Sequence, residues 1–248
     1  MRFHTAATAA ACVFFVAASA GAQDHVRLTI NAGQQASRTS FKETQTFQQY
    51  QEQGTFTLER TIPKRPFYDA GVAVHIASGL HMGASFSFFK DTGTGTVTAQ
   101  VPHPFFFNQP RTATGTARGV DRTETAAHIQ ASWTARAAGG IEFTAFGGPS
   151  MFRTEQGLAT TPKLTLADEV YPYDALPTFP GVTTETVRSN VIGYNAGVDM
   201  TWKLASNFGL GVLIRYSHGQ RNFTPTGGQA VKIETGGLHA GGGLRVVF

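Results

Sequence analysis

The 248-residue chain predicts an all-β fold, a transmembrane antiparallel up-and-down β-barrel of eight strands, from three observations. Eight segments alternate apolar and polar residues with a period of two, which gives a strand one greasy and one polar face. The connections between them alternate long and short. Beyond the N-terminal leader no apolar stretch is long enough for a membrane-crossing helix, so any span must be built from strands whose backbone groups pair in a closed sheet.

The leader, Met1 to Ala22, carries Arg2, an apolar run from Ala6 to Ala18 and the small-residue exit Ala20-Gly21-Ala22. That is the form of a cleaved secretory signal peptide, and the barrel is expected over residues 23–248. The single cysteine, Cys12, lies in this leader, so the remainder is expected to have no disulfides and no cysteine catalysis. Lys and Arg number 20 against 16 Asp and Glu, with no basic run, and no nucleic-acid partner is expected.

The first strand is Val26 to Gln35, with Val26, Leu28, Ile30 and Ala32 set against Arg27, Thr29, Asn31 and Gly33. The second runs from Phe67 to Ala77 and turns at Ser78-Gly79 into the third, Leu80 to Phe88, as an antiparallel hairpin. The fourth, Thr125 to Ala135, turns through residues 136–140 into the fifth, Ile141 to Phe146, where Gly147-Gly148-Pro149 implies a bulge or a locally opened ladder. The sixth, Ile192 to Trp202, turns at Ser206-Asn207 into the seventh, Phe208 to Ser217. The eighth is Leu238 to Phe248; its Gly241-Gly242-Gly243 is read as close backbone packing, not a phosphate-binding loop. Four longer loops, roughly 37–65, 92–122, 153–189 and 219–230, then lie on one side and three tight turns on the other. Ten strands result if Gly54 to Ile62 or Thr92 to Val101 extends the sheet.

The apolar rows carry no Asp, Glu, Lys or Arg, whereas the opposite rows hold Arg27, Asp69, Glu142, Asp199, Arg215 and Arg245. A lipid-facing Arg or Lys near the midplane costs ~2–4 kcal/mol, which explains the exclusion. Tyr68, Trp133, Trp202, Tyr216 and Phe248 sit near strand ends on the apolar face, where membrane-interface girdles form. They disfavour the soluble alternative, a secreted lipocalin-like barrel with its rows inverted.

These rows, the loop-and-turn alternation and the aromatic terminal strand resemble, over nearly all of residues 23–248, the eight-stranded outer-membrane proteins of the OmpA and OmpX type. The resemblance is architectural. It implies a protein of the outer membrane of a two-membrane bacterium, with extracellular loops, periplasmic turns, and outer-membrane lipid and lipopolysaccharide as neighbours. It also implies a monomer whose terminal strand is read by the barrel-assembly machinery.

Candidate chemistry has three locations. The six lumenal charges can neutralise one another as a structural plug, the preferred reading, or gate a narrow pore for small solutes. At the outer end of the seventh strand, Arg215-Tyr216-Ser217-His218 invites comparison with lipid A deacylases, which are also eight-stranded barrels. Their catalytic His is followed two residues on by the nucleophilic Ser, where this chain has Gln220, and Ser217 would face away from His218. A lipid A-modifying hydrolase is therefore only the alternative, and no catalytic residue is assigned. In the loops, Phe105, Phe106 and Phe107, with Tyr171, Tyr173 and Phe179, form candidate contact surfaces for a non-enzymatic structural or surface-interaction role. His75, His81, His128 and His239 are dispersed over inward rows without metal-site spacing, so no metal or cofactor is expected.

Overall fold

In a strand that crosses a membrane, every N–H and C=O must find a partner on a neighbouring strand. The computed structural model, which describes residues 26–36, 39–159, 184–223 and 231–248, meets this demand by closing an eight-stranded barrel. Its strands are β1 (Val26–Gln35), β4 (Pro66–Ala77), β5 (Leu80–Asp91), β8 (Arg122–Arg136), β9 (Ile141–Ala159), β10 (Thr184–Lys203), β11 (Phe208–Phe223) and β12 (Val231–Val247). All neighbours pair antiparallel, and β1 closes the ring by pairing with both β4 and β12. The leader, Tyr171, Tyr173 and Phe179 lie outside the described residues.

Close strand approach explains the glycines at the seam. A methyl group on Gly243 would lie 1.8 Å from the Ile30 carbonyl oxygen, and one on Gly33 would lie 2.1 Å from that of Ala240. At the β4–β5 turn Ser78 and Gly79 both have positive φ (26° and 80°), as a two-residue hairpin twisted like its strands requires. Pro149 does not end β9. Its missing N–H opens the ladder to β8 locally: the register runs through His128↔Ser150, skips two residue pairs and resumes unshifted at Ala131↔Gly147.

Two of the four expected long loops are not loops. β2 (Thr39–Gln49), β3 (Glu52–Ile62), β6 (Gly95–Val101) and β7 (Arg111–Ala117) form a separate four-stranded antiparallel sheet in the order β2-β3-β6-β7. The segment from Gly54 to Ile62, and that from Thr92 to Val101 from Gly95 onward, thus become strands without enlarging the barrel. Each of the four continues a neighbouring barrel strand beyond a short break, so this sheet is an upward extension of half the wall. Its inner row, with Phe41, Phe56, Leu58, Val97, Ala99 and Val101, packs with Leu158 of β9 and Val187 of β10 into a buried apolar core. This cap is organised as in a water-soluble protein, greasy inside, whereas the barrel below is greasy outside.

The outward barrel row is apolar and exposed throughout, from Ile30 on β1 through Phe86, Ile129, Val198 and Ile214 to Leu244 on β12. Trp133, Trp202 and Phe248 mark its lower edge; Tyr68, Tyr194 and Tyr216 mark its upper one, all of them exposed. From Trp202 to Tyr194 along β10 is about 20 Å of membrane normal, at ~3.3 Å per residue and a ~40° tilt, close to the ~25 Å apolar band of such barrels. Val198 lies midway. Val198→Arg is expected to destabilise the barrel by ~2–4 kcal/mol and Trp202→Arg by ~1 kcal/mol or less. Urea unfolding in phospholipid vesicles measures both, and equal costs would contradict this membrane placement.

Candidate functional site: the lumen and the cap

Eight strands leave an interior just wide enough for side chains to fill. Alternation sends the polar row of every strand inward, and burying ionised groups there is tolerable only if they meet opposite charges and further hydrogen bonds. The six lumenal charges form three pairs, and all but the partly buried Arg27 are buried. Near the turns, Glu142 accepts from Arg27, from Lys203 at 3.1 Å and from Arg136 at 3.2 Å. Above it, Asp199 takes Arg245 through both Nη2 and Nε, and the Thr201 hydroxyl at 2.8 Å. Asp69 takes Arg215 Nη1 at 2.7 Å and Asn31 Nδ2 at 3.0 Å. The Arg215 guanidinium also lies 5.8 Å from the centre of the Phe67 ring.

Higher in the lumen, His128 bridges the Ser150 hydroxyl at 2.7 Å and the Ser87 hydroxyl at 3.1 Å. Asn195 Nδ2 donates to Ser150 at 2.9 Å, and Gln130 Nε2 donates to Asn195 at 2.7 Å. Glu124 then receives Arg122 Nη2 at 3.0 Å and the Gly236 N–H at 2.9 Å, tying β8 to β12. Phe67, Phe89, Phe152 and Val191 are buried among these polar groups, and the buried Thr154, Gln156 and Ser189 continue the mixed interior up to the cap core. A polar cavity of ≈ 70 Å³ among Arg27, Asp69, Asp199 and Arg215 has room for a few waters.

At the base of the cap, Asp91 at the end of β5 is buried between Arg60 of β3 and Arg65, the latter at 2.7 Å. Sequence reading missed this triad because β3 was taken for loop. The available signal was Arg60 itself, a charge on the otherwise apolar row Phe56, Leu58, Ile62, which needs a buried counter-ion.

The structure separates Ser217 from His218. The Ser217 side chain is buried in the lumen, whereas the His218 ring stacks on Tyr216 with an interplanar angle of 4° and neighbours Tyr194 on the outer face. The histidines are less dispersed than expected. His75 and His81 meet across the β4–β5 hairpin with ring centroids 5.2 Å apart, because the turn puts them opposite one another. Among the described residues no group of three or more His, Cys, Asp or Glu could hold a metal ion.

The turn between β6 and β7 exposes Phe105, Phe106 and Phe107 at 68%, 55% and 70%. Its backbone is held from beneath. The N–H groups of Phe105 and Phe106 donate to His103 Nδ1 at 3.0 and 3.1 Å, and that of Asn108 donates to Glu52 Oε1 of β3 at 2.8 Å.

Arg215→Ala is expected to cost about 3–5 kcal/mol, because it leaves Asp69 charged and buried without its partner. The double change Arg215→Met with Asp69→Asn is expected to recover most of that loss. Urea midpoints of heat-modifiable gel migration measure both, and a neutral single variant would contradict the pairing.

The sequence matches no protein-family model and no curated protein. Among solved structures the chain is similar to the outer membrane protein OprG of Pseudomonas aeruginosa, with 8% identity, 91% of this chain and 97% of that chain covered, and a TM-score of 0.50. It is also similar to the outer membrane protease OmpT of Escherichia coli, with 10% identity, 91% and 97% covered and a TM-score of 0.47. Neisserial surface protein A has 11% identity, 90% and 97% covered and a TM-score of 0.44. The closed antiparallel barrel of eight strands is the fold of bacterial outer-membrane proteins of the OmpA and OmpX type.

Proposed function

We propose that this chain is a non-enzymatic, monomeric outer-membrane protein whose lumen is plugged and whose work is done at the cell surface by the cap. The observation that carries this reading is the filling of the interior: three ion pairs and the His128 cluster, then the Arg122–Glu124 pair among buried Phe89, Phe152 and Val191, and the cap core above. A solute would have to break pairs whose partners are held by several hydrogen bonds, at a cost of several kcal/mol each. Lipid meets the outward row, and lipopolysaccharide surrounds the upper strands. The closing strand β12, with its alternating Leu238, Ala240, Gly242, Leu244 and Val246, is the segment offered to the assembly machinery. Cleavage of residues 1–22 on export belongs to the same reading.

Surface action is supported by the investment in the cap. Its four strands bury an apolar core of their own and present a rigid turn of three exposed phenylalanines, and exposed apolar clusters on rigid scaffolds mark contact sites.

Two measurements test the reading. In planar bilayers the purified protein is expected to give no conductance steps, and Arg215→Ala is expected to stay silent; steps from the unaltered protein would overturn the plug. Replacing residues 104–108 by a short Gly-Ser turn is expected to abolish binding of producing cells to their target surfaces. Unchanged binding would overturn the surface role.

A further inference from the structure

We propose that the turn Phe105-Phe106-Phe107 is a hydrocarbon-seeking wedge that inserts into the outer leaflet of a second bilayer brought up to the cell. This rests on the surface-interaction reading and names the partner it takes. Among the described residues, every other large apolar side chain that is exposed lies on the barrel strands, at Leu204 of a short turn or at the chain end Phe248. On the described part of the cap, these three rings are the only ones.

Three features favour lipid over other partners. From Pro102 to Pro110 the chain has no Asp, Glu, Lys or Arg, so nothing in the tip must shed a charge on entering hydrocarbon. Three backbone N–H groups of the turn have acceptors: His103 Nδ1 accepts from Phe105 and Phe106, and Glu52 of β3 accepts from Asn108. Backbone N–H groups without partners are what hydrocarbon does not tolerate, and here the acceptors come from the base of the turn. The His103 ring packs against Phe106, centroids 4.9 Å apart, so this ring enters preorganised. Finally, phenylalanine has no hydrogen-bonding group. A carbohydrate or a polar protein surface is met by aromatics that carry one, chiefly Tyr and Trp, together with Arg.

The partner bilayer is not the protein's own. From Phe88 at the upper edge of the apolar belt to Val101 is roughly 40 Å of strand at ~3.3 Å per residue. The sheet that carries the turn stands upright against the extensions of β9 and β10, through Leu158 and Val187.

The test uses the full chain in nanodiscs, mixed with phosphatidylcholine vesicles and separated by flotation. The protein is expected to float with the vesicles, equally in low and in high salt. Replacing all three rings, Phe105→Ser with Phe106→Ser and Phe107→Ser, is expected to weaken binding by at least ~tenfold. His103→Ala keeps every ring but removes the acceptor of two N–H groups, and is expected to weaken binding severalfold. Phe106→Trp is expected to show blue-shifted emission quenched by brominated lipid placed only in the added vesicles. Heat-modifiable migration checks that each variant is folded. Absence of flotation by the unaltered protein, flotation unaffected by the triple change, or indole emission from Phe106→Trp that the brominated lipid leaves unquenched would overturn the wedge. If the triple change abolishes cell binding while vesicles are ignored, the wedge falls and the surface role stands; if it alters neither, both fall.

Discussion

The closure of β1 onto β12 is the constraint from which the rest follows. In hydrocarbon an unpaired backbone N–H or C=O has no water to turn to, so an open edge on either strand would cost several kcal/mol for each group left unpaired. The nine residue pairs from Arg27↔Val247 to Gln35↔His239 remove both edges at once. The close approach they need is why glycine occupies positions 33 and 243, where a Cβ would collide with the carbonyl opposite.

Closure fixes two environments for each strand, and the period of two assigns residues to them. The outward row must be apolar wherever it meets hydrocarbon. The inward row enters a space too narrow for bulk water, so its charges are bound to one another. Arg215 and Arg245 are each 1% exposed, and each has an aspartate beside it. Such pairs are weak sources of stability, because desolvation offsets most of the attraction. They do fix which side chains can sit together, and with them the relative rotation of opposite walls.

Above the belt the outward row becomes polar. Beyond about Phe152 on β9 and Val191 on β10 the inward row alternates buried polar residues, Thr154, Gln156 and Ser189, with the apolar Leu158 and Val187, and in the cap sheet the rule inverts. The inversion is visible in the cap sheet, where Phe56 and Leu58 are fully buried and Lys42 and Glu59 pair in the open at 2.6 Å. One chain thus carries a membrane-type barrel and a soluble-type cap sheet, joined where Arg60 and Arg65 meet the buried Asp91. The phenylalanines of the β6–β7 turn break the cap's own rule, and that exception draws attention to them.

The eight barrel strands, their facing and their turns were legible in the sequence, because alternation is a local property and lipid tolerates no exception to it near the midplane. So was the position of Pro149, whose missing N–H opens the ladder wherever it falls. Of the cap only β3 and β6 were legible, as the segments Gly54 to Ile62 and Thr92 to Val101 that could extend the sheet. β2 is rich in Thr and Gln and β7 is short and rich in Thr, the alternation of β2 is diluted by polar residues on its inner row such as Glu43 and Gln45, and of the triad Arg65 stands in a connection and Asp91 at the very end of β5. Which arginine meets which aspartate was also beyond the sequence: Asp69 and Arg215 are brought together only by the ring of strands. A sequence of this kind determines which face of each strand sees hydrocarbon; contacts between distant strands depend on curvature and register, which only the closed structure supplies.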